Sequence, residues 1–539
     1  MSEKNYLGAM IDCSRNAVMN VASVKRYIDY LAKMGYNMLM LYTEDTWEVN
    51  NQPFFGYKRG RYSKEQLKEI VAYGETKGIE LIPCIQTLGH LDTIFRWKAH
   101  SHLRDTGGVL LAEEEETYKF IDAMLKTVKE CFKSKKIHIG MDEAYDIGMG
   151  KYLKKHGFID KFEILKRHLA KVTEMVKEYD LEPLMWSDMF FAIVNNDNYY
   201  AYGNPDIITP EIAALVPENV ELVYWDYFTF GKSLSDNMIK AHKHFNNPLW
   251  FAGGVQSWGD FTAHTSYAIH CTKNALDSCI EQGIDNIIMT CWGDDGNEVS
   301  KYQSIPVLFY AAQRFHGIED YEFIKENFAK MFGIPFEDFL KLQYPNRLKA
   351  FNGRNDGFGD RCFFYNDPFL GIYDNLVTDE LEESTKKYVS YKEELLSLKN
   401  YGEYGYLFSG AAALCDFLSV KVCLGKHTRK AYKANDKLLL AEVVKEYDLC
   451  IEKLNVYYET LRYQWYKENK RNGFEVQDIR LGGLLKRLED CKRVLLEYIN
   501  GEISAIPELD EEILDGANDW FDNKWGKIVS VNHLTQWRF

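Results

Sequence analysis

Eight short apolar runs, separated by amphipathic stretches, constrain this chain more than any other feature. They fall at 7–13, 37–45, 80–89, 136–143, 183–188, 220–227, 248–258 and 286–294. The runs are almost continuous in apolar residues, the pattern of parallel strands covered on both faces. Gly253 and Gly254 interrupt the seventh, which is the least regular. Between the runs the apolar positions switch to helical spacing. Ser63 and Gln66 have the spacing of a capping box, Leu67, Ile70 and Val71 continue it, and Gly78 follows as a stop. Ser23 and Gly35 bracket the first helix in the same way. The acidic run 113–116 opens the third helix, where negative charge suits the dipole.

Eight such alternations leave two architectures, a closed (β/α)8 barrel or an open doubly wound sheet. No GxGxxG or GxxxxGK[ST] follows the first run, so the open sheet lacks its usual phosphate-binding signature. The expectation is an α/β chain with a catalytic (β/α)8 barrel over 1–320. Beyond residue 320 the strand signals fade. Helical patterns occupy 379–399, 404–423, 436–468 and 475–498, with Leu438, Leu439, Val443, Tyr447, Cys450 and Leu454 recurring at three and four residues. Residues 321–539 therefore read as a mainly α-helical C-terminal domain.

Charge and targeting signals narrow the partners. Lys and Arg number 65 against 80 Asp and Glu, a net charge of -15, which disfavours nucleic acid. The first residues lack the basic start and apolar core of a signal peptide. No apolar stretch is expected to reach membrane length. The 11 Cys show no zinc-like or redox spacing, and Cys13, Cys84 and Cys291 lie in strand-like runs. The reading is a reduced, cytoplasmic protein without a resident metal or cofactor, whose acidic charge suits a neutral substrate.

The active site of such a barrel gathers at the C-terminal ends of its strands. Those ends carry Glu44 and Asp45; Gly89 and His90; His138, Asp142 and Glu143; Trp186 and Asp188; Tyr224, Asp226 and Tyr227; Trp258 and Asp260; and Trp292, Asp294 and Asp295. Carboxylates serve the glycosidic oxygen and hydroxyls of a sugar, and indole faces serve the C–H faces of its ring. Within the fourth run, Asp142 and Glu143 are adjacent. A retaining glycosidase with a protein nucleophile separates its two carboxyls by about 5 Å across the scissile bond, and neighbours on one strand rarely straddle a sugar in that way. Adjacency suits another division of labour: Glu143 protonates the leaving oxygen, while Asp142 holds a substrate group that itself attacks. A 2-acetamido group can do so through its carbonyl oxygen.

His138-x-Gly140-x-Asp142-Glu143 resembles the HxGxDE signature of glycoside hydrolase family 20, the β-N-acetylhexosaminidases, and the resemblance extends over about residues 5–320. It implies removal of terminal β-linked GlcNAc or GalNAc from a small oligosaccharide or glycan-derived substrate with retention, through an oxazolinium intermediate. Thr43-Glu44-Asp45 looks like the family's Thr-Asp-Asp, and Gly89-His90 like its Pro-Gly-His. These imply a relay of Glu44 or Asp45, His90 and Glu143. Tyr224-x-Asp226 resembles the family's Tyr-x-Asp/Asn, whose Tyr steadies the acetamido oxygen; Tyr227 is a rival for that role. Trp292-x-Asp294 resembles Trp-x-Glu, whose acid binds sugar hydroxyls, and Trp186, Trp258 and Trp292 are candidates for the acetamido pocket. Where the family's first strand begins Arg-Gly, this chain has Leu7-Gly8, although Arg15 fits the pattern. The family's N-terminal α/β domain has no counterpart ahead of Leu7, which makes the short intracellular bacterial members the best likeness.

Two rivals remain at this level. One is a metal-dependent barrel hydrolase using His90, His138, Asp142 and Glu143; the other is a catalytically silent sugar-binding protein. Outside the barrel, 361–368 mixes aromatic and hydrogen-bonding groups. It reads first as a packed interdomain segment, and otherwise as a loop completing the sugar site, in the same chain or across a homodimer.

Overall fold

The computed structural model describes residues 5–347 and 359–514. Eight parallel strands close into a barrel in sequence order: β1 Leu7–Asp12, β2 Met38–Tyr42, β3 Glu80–Cys84, β4 Lys136–His138, β5 Glu182–Trp186, β6 Glu221–Asp226, β7 Leu249–Gly254 and β8 Ile287–Cys291. Closure is shown by the register, in which Met10 of β1 lies opposite Met40 of β2 on one side and Thr290 of β8 on the other. Successive side chains alternate faces along a strand. Met10, Met40, Ile82, Leu184, Val223, Trp250, Ala252 and Ile288 pack together in the interior, so the barrel is filled rather than hollow.

The helices between strands form as their caps dictate, with one difference. The Ser63–Gln66 capping box is present at Lys64–Thr76. The first helix, Val21–Met34, is capped by Asn20, whose side chain accepts the Ser23 N–H, rather than by Ser23; Gly35 ends it at φ 89°.

Most strands stop short of their apolar runs, and the backbone shows why. Glu44, His90, Met141, Glu143, Gln256 and Asp295 all have positive φ. Glu44, Met141, Glu143 and Gln256 lie inside the apolar runs but past the strand ends, and left-handed backbone cannot continue a ladder; His90 and Asp295 follow the runs themselves. Several of these positions coincide with the polar residues singled out above.

The chain divides into two compact units. The first comprises the barrel up to Gln256 with Ala268–Trp292 and Ser304–Ile324; the second comprises Ser257–Tyr267, Gly293–Gln303 and the described residues from Lys325 onward. In the second unit the helices Gly405–Lys433, Lys437–Glu468 and Phe474–Asn500 pack in succession. Asp436 caps the middle one through the N–H groups of Leu438 and Leu439. Contrary to the sequence reading, one stretch, Gly402–Lys433, is long and apolar enough to cross a membrane. Of its most apolar window 67% is buried within the protein, as in the core helix of a bundle. The 361–365 part of the aromatic segment lies in the helix Gly359–Tyr365 and is buried. Phe364 packs on Phe261 at 4.5 Å and Phe417 at 4.6 Å. Arg361 donates to Glu298 at 2.7 Å, and all of these residues belong to the second unit.

Candidate active site

Four residues after β4, 140–143, carry the centre of the site. Gly140, Met141 and Glu143 have φ of 73°, 71° and 48°, so the loop coils where the strand would have run on. Gly140 is required there: a Cβ would lie 2.0 Å from Gln86 Oε1. Side chains from the neighbouring strand ends replace the lost ladder. Gln86, beyond β3, accepts the Met141 N–H at 3.3 Å and donates to Asp142 Oδ1 at 2.9 Å. Asp188, beyond β5, accepts the Glu143 N–H at 2.8 Å.

His90 joins the two carboxylates. Its Nε2 lies 3.0 Å from Asp142 Oδ2 and 3.5 Å from Glu143 Oε2. These are ion-pair contacts whose direction falls short of a hydrogen bond. Burial disfavours the His90 cation, but the charges of Asp142 and Glu44 outweigh it and raise its pKa to about 10. Burial likewise pushes the Asp142 carboxyl up, yet His90 and the Gln86 hydrogen bond prevail and hold it below its ordinary value. Both members are therefore charged at neutral pH.

The structure separates Glu44 from Asp45. Glu44 accepts from the Arg15 guanidinium and from the Tyr42 hydroxyl at 3.2 Å, and it lies within electrostatic reach of His90. Burial raises its pKa despite Arg15 and His90. Asp45 instead accepts from Arg59 Nε at 3.1 Å, in the loop that follows β2. The acid on the His90 side is Glu44.

An aromatic group lies among these carboxylates. His138 and Trp186 are 4.5 Å apart, Trp186 and Trp292 6.1 Å, and Tyr42 meets Trp292 edge-on at 4.7 Å. Burial lowers the His138 pKa to about 4, so the ring is neutral. Its Nδ1 accepts the Gly140 N–H at 3.1 Å, which leaves the proton on Nε2. That donor and Trp186 Nε1 are both buried without an acceptor among the described residues.

At β6 the structure corrects the sequence reading. Val223 and Trp225 turn to the barrel interior, so Tyr224 and Asp226 take the opposite face. The Tyr224 ring is fully buried, 4.7 Å from His242 of the helix Lys232–Lys243 and 5.4 Å from Phe251. Its hydroxyl donates to Asp226 Oδ2 at 2.8 Å. Asp226 also accepts from the Tyr202 hydroxyl at 2.7 Å and the Phe228 N–H at 3.1 Å. These two residues form a structural hydrogen-bonded set between strand and helix. Tyr227 stacks on the inward-facing Trp225 at 5.3 Å.

Trp258 and Asp294 fall in the two segments that cluster with the second unit, and both are partly exposed. In that unit Glu298, four residues after Asp294, is buried and accepts from Arg361, Arg480 and Gln477. Leu7 begins β1, at the end of the barrel away from the strand C-termini, and is fully buried. Arg15, three residues past β1, is the arginine delivered at the other end. Gln86 and Asp188 went unassigned in the sequence reading. The period of two held a signal for both, since Gln86 continues the inward series Ile82, Cys84 and Asp188 the series Leu184, Trp186.

Two family models match the chain: "Glycosyl hydrolase family 20, catalytic domain" over residues 5–226, and "Glycoside Hydrolase 20C C-terminal domain" over 337–524. Hexosaminidase D of Homo sapiens is 27% identical over 223 residues, 40% of this chain and 43% of that protein. Hexosaminidase D of Bos taurus is 27% identical over 280 residues, 48% of this chain and 76% of its own length. The match thus spans less than half of the human relative. A crystal structure of a β-N-acetylhexosaminidase from Bacteroides fragilis aligns with 62% of this chain and 71% of its own, at 20% identity and a TM-score of 0.48, too distant to bear on the chemistry.

Proposed function

This chain belongs to glycoside hydrolase family 20, and from that premise we propose that it removes terminal, non-reducing β-linked GlcNAc or GalNAc from a small glycan by substrate-assisted hydrolysis with retention. The observation that carries this reading is the unequal environment of the two carboxylates. The Asp142 side chain is 11% exposed, with one oxygen held by Gln86 and the other by His90. The Glu143 side chain is 47% exposed. A carboxylate held on both oxygens is suited to orienting an amide N–H, not to forming and breaking a bond with the anomeric carbon.

In the proposed reaction the acetamido oxygen attacks the anomeric carbon as the glycosidic bond breaks. Glu143 gives its proton to the leaving oxygen, and Asp142 accepts the amide N–H and balances the positive charge on the forming oxazolinium ion. Glu143 then takes a proton from water, which opens the ring at the anomeric carbon and restores the original configuration. His90, with Glu44 beyond it, stabilises both carboxylates. Tyr227, rather than Tyr224, is assigned the donor to the acetamido oxygen, because the Tyr224 hydroxyl is committed to Asp226. Trp186 and Trp292 are assigned to the acetamido pocket, with Trp258 and Asp294 kept as sugar contacts on the family pattern alone. A reduced, cytoplasmic setting is part of the proposal, supported by eleven cysteines that are all buried and outside any disulfide in the described residues.

The test is hydrolysis of aryl β-GlcNAc against aryl β-glucoside. The acetamido mechanism requires a large preference for the former and strong inhibition by a thiazoline mimic of the oxazolinium. Equal rates on the two sugars would remove the acetamido group from the chemistry.

A further inference from the structure

Asp188 is a buried carboxyl for which the proposed reaction has no direct use. It opens the helix Asp188–Val194, directly after β5, and is fully buried. Its Oδ2 accepts the Glu143 N–H at 2.8 Å, while its Oδ1 has no protein partner among the described residues. The group it holds is unusual. Glu143 has φ 48°, a conformation that a residue with a long side chain rarely keeps unless its surroundings impose it. The regular β4–β5 ladder does not extend that far, since its last main-chain bond runs from the Trp186 N–H to the Gly140 carbonyl at 3.3 Å. The Gln86 contacts act on Met141 and on the Asp142 carboxylate, two and one residues short of Glu143.

We propose that Asp188 is the positioning residue of the acid/base: its carboxyl oxygen pins the Glu143 main chain in the left-handed conformation from which the Glu143 carboxyl meets the glycosidic oxygen. This rests on the reading of Glu143 as the proton donor. Asp188 is fully buried and acts through Glu143. It fixes the backbone from which the half-exposed Glu143 carboxyl extends towards His90, so its loss impairs proton delivery more than sugar binding.

The experiment uses the full chain and a series of aryl β-GlcNAc substrates whose phenols run from good to poor leaving groups. For Asp188→Ala, KM stays within about threefold of the parent, and kcat/KM falls about 100-fold on the poorest leaving group but only a few-fold on the best. Asp188→Asn keeps a carbonyl acceptor at the same place and restores the parent's shallow dependence. Should the alanine variant not fold, Asp188→Ser withdraws the acceptor while keeping a polar group at the helix start, and is read in the same way. A loss that is uniform across the series, or an asparagine variant as damaged as alanine or serine, overturns the proposal. Glu143→Gln on the same series separates the two readings. If it steepens the dependence and Asp188→Ala does not, the positioning role alone fails. If Glu143→Gln leaves the dependence unchanged, the assignment of the acid fails first.

Discussion

Asp142 and Glu143 share a peptide bond, yet one carboxylate is gripped by its side chain and the other is steered through its main chain. Gln86 and His90 hold both Asp142 oxygens in a buried position. Asp188 holds the Glu143 N–H and leaves the carboxyl half exposed. The difference matches the two tasks. An orienting carboxylate benefits from preorganisation and works without moving. A group that first gives and later takes a proton must meet two different oxygens, so a fixed backbone with a more accessible carboxyl serves it better.

The sharpest way to break this comparison is to remove each carboxylate in turn. Glu143→Gln is expected to lower kcat/KM about 1,000-fold on unactivated substrates and much less on those with good leaving groups. Asp142→Asn should cost about 100-fold or more whatever the leaving group, because in the proposed reaction its partner is the acetamido group. Identical profiles for the two variants would mean that the unequal environments have no functional counterpart.

The two faces of β6 provide the next contrast. Tyr227→Phe is expected to cost about 100-fold in kcat through the lost donor. Tyr224→Phe should leave activity within about threefold and reduce stability by about 1 kcal/mol, the usual worth of one hydrogen bond. Thermal melts beside initial rates would show it, and the reverse ranking would return the role to Tyr224.

A smaller effect is expected behind Asp142. Gln86→Ala should lower kcat about 10-fold by loosening both the 140–143 loop and the carboxylate. It should weaken thiazoline binding in parallel, since the mimic needs Asp142 in place; unchanged inhibition would detach Gln86 from the site.

The last effect is expected on stability rather than on rate, as a pH dependence of folding. The His90 pKa is raised to about 10, against an ordinary value of about 6.5. Folding therefore favours the protonated ring. The stability this contributes is complete below about pH 6.5 and is lost as the pH rises towards about 10. His90→Gln should flatten the fall in Tm across that window, and an unchanged slope would mean that the ion pair contributes nothing.

Much of the molecule is legible in its residues. The near-continuous apolar runs of the barrel and the three-and-four spacing of the later helices foretell the two kinds of architecture, because both patterns record which faces must leave water. The motif from His138 to Glu143 likewise carries its chemistry in residue types and adjacency. The turns at Glu44, His90, Met141 and Glu143 are hidden, since none is a glycine and left-handed backbone at such residues is imposed by neighbours. For that reason the apolar runs overstate the strands, and the site loops look like strand ends.

What the sequence by itself determined is therefore the periodicity, the order of the elements and the pair Asp142–Glu143. Only the tertiary structure separates near-equivalent neighbours: Glu44 on the His90 side from Asp45 beside Arg59, and Tyr227 stacked on the inward-facing Trp225 from Tyr224 bonded to Asp226. Adjacent or nearby residues of the same chemistry cannot be told apart by type. A strand sends successive side chains to opposite faces, and which face is the interior depends on a register that exists only once the barrel has closed.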